Sequence, residues 1–402
     1  MSLDASDSRT DFDVIVVGGG LIGATAALAI AGRGARVGLI DVRRPAPSLG
    51  AFDMDIRNIA CSPASQALLA EVGVWDDLTP ACYVRMDVWE ERGTAALSFG
   101  ADEADRAELG WILENSPTVT ALWQRIEEHP RVEVRLGAVT AVDCAADRVV
   151  VSLQDQPVVG RLLIGVDGAR SAVRELVGAG TEVLATGQMA LATLVRTELE
   201  HEGVALQRFL LDGPLALLPS REPRLSSVVW SQSPAEAERR QALPDARFCA
   251  EIEAAIEARL GRVTAVDARF TFPLAQHVVH DFNPEQRVLL LGDAARVLHP
   301  LAGLGANVGF EDVRDLLSVL GRLPDGADPG RAGIWRAFAR KRRTRAQLMV
   351  AAMAGFRYAY AESTPALTWL RNSAVGWINA TGTVKQQIIR EALGLGPLAS
   401  AW

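Results

Sequence analysis

Apolar runs and a helical pattern alternate near the start of the chain. The β-branched run "DVIVV" at 13–17 predicts a buried strand, and "ARVGLID" at 35–41 predicts another. Between them, the small-residue stretch "ATAALAIAGRG" predicts a helix that ends at glycine. A strand, a helix and a strand in so short a span predict a parallel sheet.

The pattern changes along the rest of the chain. Residues 57–74 are typical of a helix capped at Ser62, and "YVRMDVWEERGTAALSF" predicts a hairpin that turns at Arg92 and Gly93. From about residue 189, alternating runs such as "VALQRFLLDGPLALLP" and "LSSVVW" predict an antiparallel sheet and a second domain. From residue 331 onward the pattern is mostly helical.

Composition and charge narrow the class of protein. The 402 residues carry a net charge of -8, which argues against non-specific nucleic-acid binding. Four scattered cysteines predict neither a disulfide framework nor a zinc site, and we expect no metal. Residues 14–32 contain no charge and resemble a membrane span, but three consecutive glycines and the preceding Asp11 and Asp13 argue against one.

Three glycines form a nucleotide-binding pattern after the first strand. Gly18 permits a tight turn, Gly20 lets a pyrophosphate approach the backbone, and Gly23 lets helix and strand pack closely. Asp41 ends the next strand, where an acid hydrogen-bonds a ribose 2′-hydroxyl and repels a 2′-phosphate, which favours FAD or NAD. The alternative is a glycine-rich turn without a ligand.

Two further strand ends carry candidate chemistry. Asp167 and Gly168 precede Ser171 and Arg174, a pattern that is also typical of an ordinary helix cap. Asp293 follows the apolar run "RVLLL", where its carboxylate can bind sugar hydroxyls. After it, Gly303 and Gly305 expose bare backbone before a helix whose free amides favour negative charge.

These motifs resemble the three fingerprints of class A flavoprotein monooxygenases. The fingerprints read G-x-G-x-x-G, D-G-x-x-S-x-x-R and G-D-A-A-x-x-x-H-P-x-x-G-x-G-x-N. Segments such as "DIRNIACSP", "LGWILENSPTVTALWQRI" and "WLRNSAVGWINATGTVKQQIIREALGLG" are similar to the ubiquinone-biosynthesis hydroxylases. The resemblance runs from residue 12 to 396.

The resemblance implies an α/β fold with a Rossmann-like FAD-binding domain of the p-hydroxybenzoate hydroxylase type. An interleaved antiparallel-sheet substrate domain and C-terminal helices complete it. We assign residues 12–85, 112–188 and 283–345 to the FAD-binding domain, 86–111 and 189–282 to the substrate domain, and 346–402 to the helical region.

The resemblance also implies roles for individual residues. The ADP part of FAD is expected at Gly18, Gly20, Gly23 and Asp41, the phosphates at Arg57, and further cofactor contacts at Asn115, Asp167 and Gly168. Asp293 is expected to hydrogen-bond the ribityl chain. Pro300 is expected beside the reactive flavin edge, and the backbone of Gly305, Ala306 and Asn307 at the pyrimidine end.

The implied reaction uses non-covalent FAD, NADH or NADPH, and O₂. Reduced flavin forms a C4a-hydroperoxide that hydroxylates a prenylated phenol, and His299 either assists a phenolic proton or simply packs before Pro300. Arg296 and Leu304 depart from the usual family residues. We place Phe209, Leu217, Pro219 and Trp230 near an apolar substrate pocket.

Alternatives remain open for function and location. They are a flavoprotein monooxygenase or reductase with another apolar substrate, and a non-catalytic flavin-binding subunit of a ubiquinone-synthesis complex. We expect a cytoplasmic protein, with partners in such a complex and weak peripheral contact with the inner face of the membrane. The basic run at 340–345 predicts a solvated helix face that either serves that contact or serves no partner.

Overall fold

The computed structural model describes residues 10–46, 48–91, 96–154, 156–298 and 304–361, and also 385–387, 390, 391, 393 and 396. Within these residues the chain forms three sheets and nine α-helices. The helices are Leu21–Ala31 (α1), Pro63–Glu71 (α2), Asn115–Glu128 (α3), Ala172–Leu176 (α4), Pro234–Ala242 (α5), Asp245–Ala255 (α6), Gly292–Ala295 (α7), Leu304–Leu320 (α8) and Arg336–Ala361 (α9).

The first sheet has seven strands and carries the predicted nucleotide-binding pattern. Its strands are Phe12–Val17 (β1), Val37–Asp41 (β2), Val132–Leu136 (β8), Val139–Cys144 (β9), Val149–Leu153 (β10), Gln156–Gly165 (β11) and Val288–Leu290 (β18). Their order is β8-β2-β1-β11-β10-β9, with β18 beside β11. β1 runs parallel to both β2 and β11, which confirms the predicted parallel sheet. Its apolar side chains, such as Ile15 and Leu39, are fully buried.

The second sheet has nine strands and is largely antiparallel. They are Arg85–Glu90 (β5), Ala96–Gly100 (β6), Thr181–Thr197 (β12), Val204–Leu210 (β13), Gly213–Pro219 (β14), Leu225–Gln232 (β15), Val263–Val266 (β16), Phe270–Val279 (β17) and Arg296–Val297 (β19). The order is β19-β17-β12-β15-β14-β13-β5-β6, with β16 beside β12. The predicted hairpin is confirmed, because β5 and β6 pair in antiparallel register. Its predicted turn at Arg92 and Gly93 lies outside the described residues.

A small third sheet joins the other two. It consists of Asn58–Cys61 (β3), Ala81–Tyr83 (β4) and Gly110–Glu114 (β7), in the order β3-β7-β4. The helix predicted from residue 57 begins only at Pro63, because residues 58–61 pair with β7 as a strand. The predicted cap is confirmed, since the Ser62 side chain accepts a hydrogen bond from the Ser65 amide.

Strand β12 runs without a break through the boundary that we assigned between residues 188 and 189. All its partners belong to the nine-stranded sheet, and its pairing with β17 has an irregularity between Ala185 and Gln188. No helix of the described residues has the length and apolarity needed to cross a membrane.

Candidate active site

The glycine loop lies between β1 and α1, at the carboxyl end of the parallel strands. Gly18 has φ of +109°, and a Cβ there would lie 2.5 Å from the carbonyl oxygen of Val166. A Cβ on Gly23 would overlap the carbonyl oxygen of Gly18. Gly20 is different, because nothing lies within 4 Å of the position that its Cβ would take. Two of these glycines are thus required by the protein itself, and Gly20 leaves space in front of the helix amides.

Asp41 braces this loop from the end of β2. Its Oδ2 accepts a hydrogen bond from the Gly19 amide at 2.6 Å, and its Oδ1 accepts one from the Arg43 amide at 3.2 Å. The buried Trp123 of α3 donates from Nε1 to the Gly19 carbonyl at 2.7 Å. Asp41, the acid predicted to bind ribose, therefore also holds the loop in place. Trp123 holds it as well, and the sequence motif gave no sign of this contact.

Arg57 lies where β3 begins. Its side chain is exposed, and no acidic group of the described residues pairs with its guanidinium. The buried Asp55 holds the surrounding backbone: its Oδ1 accepts from the Arg57 amide at 2.9 Å and its Oδ2 from the Ser116 amide at 2.8 Å. Asn115, the first residue of α3, donates its amide to the Arg57 carbonyl at 3.0 Å. Arg57 and Asn115 are thus brought together.

The motif that begins at Asp167 connects the end of β11 to α4 and α7 by hydrogen bonds. Asp167 accepts hydrogen bonds from the Ser171 hydroxyl at 2.5 Å and the Val173 amide at 3.1 Å, which fixes the start of α4. Arg174 then donates to the Ala294 carbonyl at 3.0 Å. Gly168 has φ of +85° and open space beside it. The contacts that Asp167 makes within the protein are those of a residue at a helix start. Through Arg174 the same motif also contacts α7.

Asp293 lies on α7, at the end of β18. Its carboxylate accepts no hydrogen bond from the described residues. The residue is exposed but its carboxyl group is surrounded by protein, and this desolvation raises the pKa of Asp293, although the Arg296 guanidinium opposes the shift. His277 contacts the Asp293 carbonyl through Nε2 at 3.0 Å, and burial together with Arg174 lowers the pKa of His277. Both shifts favour the uncharged form of the side chain.

A buried ion cluster lies behind α7. We define the α8–α9 ion cluster as Arg296, Glu311, Asp312, Asp315 and Arg342. Asp312 accepts from Arg296 Nη1 at 2.8 Å, from Arg342 Nε at 2.5 Å and from the Gly292 amide at 2.9 Å. Arg342 also pairs with Asp315 at 3.1 Å and Glu311 at 3.4 Å. Burial lowers the pKa of Arg296, whereas in Arg342 the three carboxylates outweigh burial and raise the pKa.

The cluster corrects the interpretation of the basic run at 340–345 as one solvated face. Arg342 is 2% exposed because it turns inward to the acids of α8. Arg340 and Arg343 remain exposed on the other side of α9. The signal that was missed is the acidic pattern "FEDVRD" in α8, which complements the arginines.

The start of α8 packs against β3 through Asn307. Asn307 Oδ1 accepts from the Ser62 amide at 3.0 Å and the Ser65 hydroxyl at 2.8 Å, and its Nδ2 donates to the Ala60 carbonyl at 2.8 Å. Gly305 is exposed with nothing within 4 Å of its Cβ position, and Ala306 is half-buried. His299 and Pro300 lie outside the described residues, as does Gly303. The first turn of α8 therefore offers open backbone, held by a buried amide.

The two faces of the nine-stranded sheet differ in what covers them. One face packs on α6: Leu217 and Trp230 are 1% and 2% exposed in a core with Phe248 and Ile252. By strand alternation Pro219 shares the face of Leu217. The opposite face meets the FAD-binding region, because Ala205 and Leu218 pack against Ala60 and Ile112. We call it the inner face.

The substrate-pocket prediction is corrected for three of its four residues. Leu217, Pro219 and Trp230 belong to the helix-covered face, whereas Phe209 lies two residues from Gln207 and four from Ala205 on the inner face. The physical reason is that both faces of these strands are apolar, so the pattern alone does not fix which one α6 covers. Among the residues that the structure describes, no group of His, Cys, Asp and Glu could hold a metal ion.

The glycine loop, the acid at the end of β2 and the exposed Asp293 at the end of β18 are typical of a dinucleotide-binding protein of the doubly wound class. A family model described as an FAD binding domain matches residues 11–353. The chain belongs to this family of FAD-binding monooxygenases, and within it to the group of the ubiquinone-biosynthesis hydroxylases. This confirms the predicted FAD cofactor and the predicted enzyme class, an FAD-dependent aromatic hydroxylase.

Individual relatives match over almost their full length. The chain is 34% identical to the 3-demethoxyubiquinol 3-hydroxylase of Escherichia coli (strain K12), covering 95% of this chain and 98% of the relative. It is also 34% identical to the ubiquinone hydroxylase UbiL of Rhodospirillum rubrum, covering 96% and 91%. Among solved structures, p-nitrophenol 4-monooxygenase PnpA from Pseudomonas putida DLL-E4 superposes with a TM-score of 0.77 at 23% identity, over 96% and 99% of the two chains. The last match confirms the predicted fold.

Proposed function

We propose that this protein hydroxylates the aromatic ring of a prenylated phenol in ubiquinone biosynthesis, using FAD, a reduced nicotinamide and O₂. The observation that carries the proposal is the 34% identity, over nearly the whole of both chains, to a relative named 3-demethoxyubiquinol 3-hydroxylase. The inner face of the sheet supports it, because the half-buried Ala216 and Val229 on that face are small apolar side chains that suit an apolar ring.

The residues present fit FAD. Gly20 and Gly305 leave open space at two helix starts, Arg57 has an unpaired guanidinium, and the Asp293 carboxylate has no partner among the described residues. We assign the phosphates to the glycine loop and Arg57, a ribose to Asp41 and the ribityl chain to Asp293. The backbone at 305–307 takes the pyrimidine end, and Asn115, Asp167 and Gly168 hold the segments around it.

Bound FAD supplies the redox chemistry, taking a hydride from the nicotinamide and activating O₂. The task of the chain is to hold the ring against the flavin edge and to keep water away. Asp167, Ser171 and Arg174 hold α7 in place, and Asn307 holds the first turn of α8. His299 remains predicted either to assist a phenolic proton or to pack before Pro300, and Pro300 remains predicted at the flavin edge.

The test is an assay of the FAD-loaded protein with a short-chain 3-demethoxyubiquinol. We expect NADH or NADPH oxidation to accelerate when the phenol is added, and the product to gain one oxygen atom derived from labelled O₂. The matched control uses the same ring with its hydroxyls methylated. Reduction of a prenyl double bond without oxygen gain would favour the reductase alternative, and FAD binding without turnover would favour the non-catalytic subunit.

The exposed arginines of α9 support a finer part of the proposal, weak contact with an anionic membrane surface. Arg336, Arg340 and Arg343 are exposed and lie on one face of the helix by their spacing. Each basic residue near such a surface contributes about 1 kcal/mol. We expect the protein to float with anionic liposomes at low salt and not at high salt.

A matched pair of double variants tests this contact. Arg340→Glu with Arg343→Glu should abolish flotation, whereas Arg221→Glu with Arg224→Glu, exposed arginines beside the nine-stranded sheet, should leave it unchanged. Flotation that survives the first pair would remove α9 from the contact. A protein that co-purifies with other ubiquinone-synthesis enzymes but does not float would favour the predicted complex instead.

A further inference from the structure

One cross-strand row on the inner face has an unusual composition. Its members are directly opposite one another on five neighbouring strands and read Gln207, Ala216, Val229, Ala192 and Phe270. We call it the inner row. At the usual strand spacing it spans roughly 19 Å. One end is an amide, the middle consists of small apolar side chains, and the other end is aromatic.

The amide end is buried without a partner. Gln207 is 5% exposed, and its Oε1 accepts no hydrogen bond from the residues that the structure describes. The buried hydroxyl of Ser227, on the same face, likewise has no hydrogen-bond partner among them. Buried polar groups are almost always hydrogen-bonded, so each exception needs a partner from outside the chain. An amide offers a donor and an acceptor, and a ring hydroxyl is both.

The unpaired groups on the helix-covered face have a different explanation. The rings of Trp89 and Trp230 lie under the guanidinium groups of Arg259 and Arg240, at 3.7 and 3.9 Å. Arg208 lacks a partner only at Nε, because its other nitrogens bond the Ala255 carbonyl and Glu257. Those side chains contact charged groups or accept and donate hydrogen bonds, whereas the Gln207 Oε1 accepts none from the described residues.

Beyond Gln207 the row is partly open, although its fourth member, Ala192, is 5% exposed. Ala216 and Val229 are half-buried, and no hydrophobic core of the described residues includes them. Phe270 is 54% exposed, and Phe272, two residues along the same strand face, is 43% exposed. β19 pairs with β17 only at His277 and Val278, so the strand segment at 270–273 is a free sheet edge in the described part of the chain. A linear apolar group can lie along this floor and leave over that edge.

We propose that the inner row orients the substrate, with Gln207 hydrogen-bonding a ring hydroxyl and Phe270 and Phe272 contacting the prenyl chain as it leaves the protein. The proposal rests on the proposed function, because it assigns the two ends of that substrate. A chain of contacts connects the strand of Gln207 to the predicted cofactor region. Ala205, on the same face of the strand, packs against Ala60. The Ala60 carbonyl accepts a hydrogen bond from Asn307 at the start of α8.

The experiment measures substrate dissociation constants by perturbation of the flavin spectrum in the FAD-loaded protein. The ligands are demethoxyubiquinol analogues with one and with several prenyl units, and their ring-methylated counterparts. Gln207→Leu should weaken binding of the free hydroxyl forms about tenfold at both chain lengths and abolish discrimination against the methylated forms. Phe272→Ser should weaken binding of the long-chain analogue only.

Controls and contrary outcomes are as follows. Leu199→Ser, which removes another exposed apolar side chain, should change neither affinity. The unfolding midpoint of Gln207→Leu should match that of the native chain, so that lost binding is not lost folding. If the native protein hydroxylates these phenols but both variants bind them normally, the orientation is wrong and the proposed function stands. If the native protein neither binds nor hydroxylates them, both fail.

Discussion

Two regions of the molecule with buried polar side chains differ in how the hydrogen bonds of those groups are satisfied. In the α8–α9 ion cluster, Asp312 is 0% exposed and accepts from two arginines and a backbone amide. On the inner face, Gln207 is nearly as buried, and its Oε1 has no hydrogen-bond partner in the described part of the chain. The cluster is complete without a ligand, and the inner row is not.

The difference separates stability from binding. A buried charge that loses its partner is costly, so each member of the cluster is needed for the fold. An unpaired amide already carries its desolvation cost in the free protein, and a ligand that pairs with it recovers that cost. Substitutions in the cluster should therefore act on the free energy of unfolding, and substitutions in the inner row should act on affinity.

The largest expected effect is in the cluster. Arg342→Leu leaves Asp312, Glu311 and Asp315 short of a cation and should lower the free energy of unfolding by about 3–5 kcal/mol, measured by urea denaturation. Arg343→Leu, at the exposed neighbour, should change it by less than about 0.5 kcal/mol. Equal effects for the two arginines would mean that the cluster is not a structural centre.

Substitutions on the helix-covered face of the sheet, like those in the α8–α9 ion cluster, should lower the free energy of unfolding. Leu217→Ala removes a fully buried side chain beside α6 and should cost about 2–5 kcal/mol of unfolding free energy, with substrate affinity unchanged. Ala216→Leu, the next residue on the inner face, should leave stability nearly unaltered and block the phenol. Substrate binding lost in Leu217→Ala at native stability would return Leu217 to the pocket.

A substitution of Asp293 should affect both ligand binding and the free energy of unfolding. Asp293→Ala removes an acceptor for the ribityl hydroxyls and should weaken FAD binding by about 1.5–3 kcal/mol, measured by fluorescence titration of the apoprotein. Burial raises the pKa of Asp293, so its contribution to stability is present below its unfolded pKa and is lost as pH rises through the folded value. The variant should therefore flatten the acid side of the stability profile of the apoprotein. Unchanged FAD affinity would remove Asp293 from the site.

The smallest expected change in the free energy of unfolding is that of a substitution of Gln207. It separates a binding role of this residue from a structural role. Gln207→Leu should change the unfolding free energy of the apoprotein by less than about 0.5 kcal/mol, or raise it, because the Gln207 Oε1 accepts no hydrogen bond from the described residues. Arg342→Leu gives the scale against which that value is judged. A loss of several kcal/mol in Gln207→Leu would show that Gln207 has a structural partner and that the comparison does not hold.

The conformation of the glycine loop could be predicted from the sequence because physical constraints leave few alternatives there. Gly18 needs a positive φ and Gly23 needs close contact with Gly18, so a pattern of residue types carries the geometry. The same is true of the parallel strands, whose apolar runs are continuous. The family resemblance then supplied the cofactor and the order of the domains.

The sheet faces and the basic run could not be predicted in the same way. In β14 both Leu217 and Leu218 are apolar, and only the position of α6 decides which faces the cleft. The burial of Arg342 depends on Asp312, 30 residues away, which a local charge count does not include. Residues 58–61 form a strand only because β7 pairs with them. Each error concerns a contact made with a distant part of the chain.

The most direct test of the comparison is a crystal structure of the FAD-loaded protein with a short-chain demethoxyubiquinol analogue. The account predicts an oxygen of the ring within about 3.2 Å of the Gln207 amide, with the prenyl chain lying toward Phe270 and Phe272. The α8–α9 ion cluster should keep the pairs that it has without ligand. A ring bound away from the inner face, with Gln207 still unpaired, would contradict the account.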